Sequence, residues 1–101
     1  MKTKQEEILI GKVGVDSGCL MVGDPCYLDS DWNNEDYSKE VCSDWGLHKQ
    51  LKGKNGYLKA VLFSAGFGDG VYNVYATIKD CGDWGKRVSE VRIKLIDEDD
   101  I

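Results

Sequence analysis

Two runs of alternating apolar residues, Leu58–Ser64 and Val71–Ile78, flank Ala65-Gly66-Phe67-Gly68-Asp69-Gly70. Alternation of period two marks strands with one face toward a core. Three glycines and an aspartate in five residues can supply the positive φ angles that a tight hairpin or glycine bulge needs. The two strands are therefore expected to pair across this segment. Asp69 is its only carboxylate, and it serves either as a turn former or as a ligand.

The rest of the chain repeats the pattern. Ile8–Val15 reads as a strand in which Ile8 and Ile10 differ in parity from Val13 and Val15, so Gly11 or Gly14 marks a bulge. Asp16-Ser17-Gly18 is a turn, and Cys19–Gly23 is a short apolar strand expected to form a hairpin with Ile8–Val15. Gly23-Asp24-Pro25 ends it, because proline cannot donate to a ladder. Asn33, Asn34, Glu35 and Asp36 carry helix-start chemistry, and a short helix is expected from Glu35 to Cys42. His48–Asn55 is a ragged strand or a loop. In Lys86–Ile96, Val91, Ile93 and Leu95 form an apolar face, with Glu90, Arg92 and Lys94 on a wet one.

These elements predict one domain over residues 1–101, with charged tails at 1–7 and 97–101. The fold class is mostly β: a single small antiparallel sheet or barrel of about five to six strands, with one short helix in the 29–55 excursion. A chain of 101 residues has room for one modest core.

A net charge of −5 argues against a nucleic-acid polymer, whose phosphates need clustered Lys and Arg. No run is long and apolar enough for a membrane helix, and no apolar stretch follows the charged first residues as in a secretion signal. The expected location is cytoplasmic. There Cys19, Cys26, Cys42 and Cys81 stay reduced, and they show no metal-finger spacing.

Candidate site residues come from the turns. Asp16, Asp24 and Asp69 each sit within two residues of a glycine at the rim of a strand. If they converge, they suit a hard cation or an acid–base pair; the plainer reading is turn composition. Cys26 and His48 form a conceivable nucleophile–base pair, weighed against a packed thiol and a surface imidazole. Phe67, Asp69, Tyr72 and Trp84 would line a small-molecule pocket, and Arg87, Arg92, Lys59 and Lys86 could meet a phosphate. The alternative for the loop aromatics, among them Trp32, Trp45, Tyr27 and Tyr75, is that they cap the core. No phosphate-binding loop, dinucleotide fingerprint or nucleophile elbow is present, and no cofactor is implied.

Two blocks, Gly14-Val15-Asp16-Ser17-Gly18-Cys19-Leu20-Met21-Val22-Gly23-Asp24-Pro25-Cys26-Tyr27-Leu28 and Gly66-Phe67-Gly68-Asp69-Gly70-Val71-Tyr72-Asn73-Val74-Tyr75, cover about a quarter of the chain. Together they resemble the DUF4241 family of small bacterial and phage proteins of unknown function. That family typically has proline where this chain has Asn73, so a backbone N–H is regained there. The resemblance implies unity of fold and no particular activity.

The functional expectation is a non-enzymatic small binding domain of bacterial or phage origin. Its partner is a small polar, nucleotide-like ligand, which it sequesters, or a protein, such as a host defence component that it inhibits. The rivals are a metal-assisted hydrolase using Asp16, Asp24 and Asp69, and a structural or immunity-type interaction protein. Unpaired edge strands would also allow a homo-oligomer.

Overall fold

A computed structural model describes residues 5–27, 46–53 and 56–97. The fold is mostly β. Six strands follow in order: β1 (Gln5–Val15), β2 (Cys19–Gly23), β3 (His48–Lys52), β4 (Leu58–Ser64), β5 (Gly70–Asp80) and β6 (Lys86–Ile93). Two 3-10 turns, Pro25–Tyr27 and Gly82–Trp84, complete the described elements. The helix expected from Glu35 to Cys42 lies outside the described residues, as do Trp32 and Trp45.

The strands form two three-stranded sheets, of order β1-β5-β6 and β2-β4-β3. They belong to two compact units, with boundaries at Gly14/Val15 and Asp69/Gly70. This corrects both expected hairpins. β4 has β2 on one side and β3 on the other, while β5 has β1 and β6. Each is a central strand with both edges taken, so β4 and β5 cannot also pair with each other. The glycine-rich segment 65–70 therefore leads from one sheet to the next. The Asp16–Gly18 turn does the same between β1 and β2.

In the β2-β4-β3 unit, antiparallel register sets Met21 opposite Leu62, and Leu51 opposite Ala60. Cys19, Leu51, Ala60 and Leu62 are buried together, with Met21 and Tyr27 packed against them. Beyond Leu51 the register slips: Lys52 faces Leu58, so Lys59 is the extra residue of a bulge. The slip takes Leu58 out of the core face, and it is 69% exposed. Of the two readings of His48–Asn55, ragged strand or loop, the strand holds for His48–Lys52.

In the other unit, β5 is central. Its Tyr72, Val74, Ala76 and Ile78 alternate as expected, with Ala76 fully buried. β6 pairs with it antiparallel through a bulge between Thr77 and Ile78. Ser89 is the extra residue, and its hydroxyl donates to the Thr77 carbonyl at 3.2 Å. The bulge brings Val88 into phase with Val91 and Ile93. Even so, Val91 is exposed, and Ile93 is the only residue of β6 that is half-buried. The apolar face expected for this strand is thus largely uncovered among the described residues.

Candidate functional site

The polar face of the β1-β5-β6 sheet carries the most developed constellation. Parity along β5 puts Asn73 and Tyr75 on the face opposite Ala76. Tyr75 is the cross-strand partner of Arg92 on β6, and directly opposed residues share a face. The Arg92 guanidinium lies over the Tyr75 ring, 4.8 Å from its centroid. It continues across β5 to β1, where Nη2 donates to Oε1 of Glu7. Glu7's hydrogen bond, and then its charge, raise the Arg92 pKa above the ordinary guanidinium value. Arg92 is thus held over the central strand by Tyr75 of that strand and Glu7 of β1.

A groove of about 410 Å³ opens beside this stack at the 71–75 end of β5. Tyr72, Asn73, Tyr75, Arg92, Lys94 and Asp97 line it, with Val71 and Leu95 as its apolar members. The Asn73 amide donates to the Tyr75 hydroxyl at 3.3 Å. Aromatic surface, two cations, an amide and a carboxylate therefore meet in one concavity. Such a mixture suits a small polar molecule with a flat part and an anionic part.

The expected site residues distribute differently. Tyr72 lines the groove. Trp84, 76% exposed, sits in the 3-10 turn between β5 and β6, where its carbonyl accepts from Arg87 Nε at 2.8 Å. Tyr72 and Trp84 thus lie at opposite ends of β5, which separates them by about 25 Å. One pocket cannot hold both. Phe67 and Asp69 belong to the other unit.

Asp69 lies beside the Asp16–Gly18 turn: its Oδ1 is 4.0 Å from where a Cβ on Gly18 would stand. The Ala65 N–H donates to the Gly18 carbonyl at 3.0 Å, tying the two turns together. Asp24, however, follows the far end of β2, about 15 Å along the strand. Its Oδ1 accepts the Cys26 N–H at 2.9 Å, closing the turn at Pro25–Tyr27. That backbone hydrogen bond, then the Cys26 side chain and the charge of Lys59, pull the Asp24 pKa below its ordinary value. The three carboxylates therefore do not converge. Among the described residues no group of three His, Cys, Asp or Glu is arranged to hold a metal ion. The hydrolase reading loses its ligand set.

Cys26 and His48 are likewise apart. His48 faces Phe63, level with Leu20, whereas Cys26 lies beyond Gly23 at the other end of the sheet. The residues near Cys26 form a brace instead. Lys59 Nζ sits 3.6 Å from the Tyr27 ring centroid and 5.7 Å from that of Tyr57.

Asn73, Tyr75 and Lys94 were not singled out together by sequence reasoning. The signal was present: Asn73 and Tyr75 share one parity in β5, and Arg92 and Lys94 share one in β6. Only the register joins the two pairs. No family model matches the chain, and no curated protein or solved structure is significantly similar to it. Among the described residues no helix is long and apolar enough to cross a membrane.

Proposed function

We propose that this chain is a non-enzymatic binding domain that takes a small polar, nucleotide-like ligand in the groove beside Tyr75 and Arg92. The observation that supports this is the Glu7–Arg92–Tyr75 stack, which presents a flat, cationic and pre-ordered surface next to an amide. A guanidinium already immobilised loses less entropy when a ring settles on it. In a bacterial or phage cytoplasm, the location expected from the sequence, such a domain would sequester its ligand rather than transform it.

The test is a thermal-melt screen of the full chain against nucleosides, nucleotides and cyclic nucleotides at millimolar concentration. A rise in midpoint is expected with at least one of them, and Arg92→Ala is expected to abolish it. No rise with any compound would remove this reading and leave a protein–protein interaction domain in its place.

A further inference from the structure

We infer that the groove selects an adenine ring bearing a single negative charge, over both the uncharged nucleoside and the polyphosphate. This rests on the ligand-binding reading above and narrows it. The first argument is charge. Of the two cations that line the groove among the described residues, Arg92 is already answered by Glu7. Lys94 makes no ion pair among the described residues, so it is the cation left to meet an anion. One anionic group is therefore matched, and the several charges of a triphosphate are not.

The second argument is the ring. Arg92 is stacked on Tyr75 by one face, so its other face is a platform for a base. Asn73 spends one N–H on the Tyr75 hydroxyl and keeps a second N–H and its carbonyl oxygen. A donor and an acceptor side by side match the N6 and N7 edge of adenine. The third is size. About 410 Å³ lies toward the small end of ligand sites, which run from roughly 300 to 1,000 Å³. One base, one sugar and one phosphate suit that space better than an oligonucleotide.

Calorimetric titration of the full chain with adenosine, cyclic adenosine monophosphate, cyclic guanosine monophosphate and adenosine triphosphate tests the proposal. The cyclic adenosine monophosphate is expected to bind at least tenfold tighter than the other three. Lys94→Gln should bring it down to the level of adenosine. Equal or tighter binding of the triphosphate overturns the charge rule, as does an indifferent Lys94→Gln. Tighter binding of the guanosine compound overturns the choice of ring yet leaves the ligand-binding reading standing. If none of the four binds although the melt screen finds another nucleotide, this inference alone falls. If the screen is also blank, both do.

Discussion

Arg92 lies over the ring of Tyr75, 4.8 Å from its centroid, on the strand beside its own. The contact matters because Arg92 then reaches past β5 to Glu7 on β1. One side chain thus touches all three strands of its sheet. Such a strap costs rotamer entropy at an exposed position, and exposed ion pairs return little stability. Its benefit lies in holding a flat cation still beside a groove.

Arg92→Lys separates charge from geometry. Lysine keeps the positive charge but lacks the planar fork that stacks and pairs together. The melting midpoint without ligand should move little, because the pair is exposed. The ligand-induced rise should be lost. Glu7→Gln should change the midpoint slightly at low salt and not at all at about 1 M salt, where exposed charges are screened. A large salt-independent loss from Glu7→Gln would show that the strap carries the fold.

Much of the sheet was legible from alternation alone. The faces of β5 are those its parity indicates, whereas the irregular composition of His48–Asn55 left strand and loop both open where β3 lies. Pairing was not legible. Glycine-rich turns such as 65–70 have the composition of hairpin loops, but composition cannot reveal that β4 and β5 each have both edges filled by other strands. The bulges at Lys59 and Ser89 also escape a period-two reading, since each shifts parity by one residue. The site followed the same division. Tyr72, named for its neighbourhood, lines the groove, whereas the Tyr75–Arg92 pair depends on a cross-strand register. The glycine–aspartate corners pointed to Asp24 for function, and its carboxylate is engaged in its own turn.

That engagement has a pH signature. The Asp24 carboxylate accepts the Cys26 N–H, and its pKa is lowered from the ordinary 3.8. A depressed folded-state pKa adds stability that is fully present above the unfolded value and is lost as pH falls through the folded one. Asp24→Asn keeps an oxygen acceptor for Cys26 but removes the charge. Wild type should therefore be the more stable protein at pH 6. The two should converge as the pH drops below about 4, in chemical denaturation at a series of pH values. A gap that stays constant from pH 6 to pH 2 would mean that the charge contributes nothing.

The closest test of the β2-β4 packing uses Gly23. Its backbone φ is not in the left-handed region, so any cost of a side chain there is steric. A Cβ at this position would stand 3.0 Å from the Cβ of Ala60 and 3.4 Å from the Lys59 carbonyl oxygen. Neither atom is the end of a flexible chain, and Ala60 is buried in the core. Gly23→Ala must push β2 away from β4, and overpacking of this kind costs about 1–3 kcal/mol. Gly11 is the control. It also lies in a strand, but nothing stands within 4 Å of its added Cβ. Gly11→Ala should be neutral or stabilising by up to about 1 kcal/mol, since a strand glycine carries an entropic penalty. Denaturant unfolding of both variants reads the difference. The double variant Gly23→Ala/Ala60→Gly removes the clashing methyl and should recover part of the loss. If it does not, the Cβ contact is not the source of the cost, and the close approach of β2 to β4 does not require glycine.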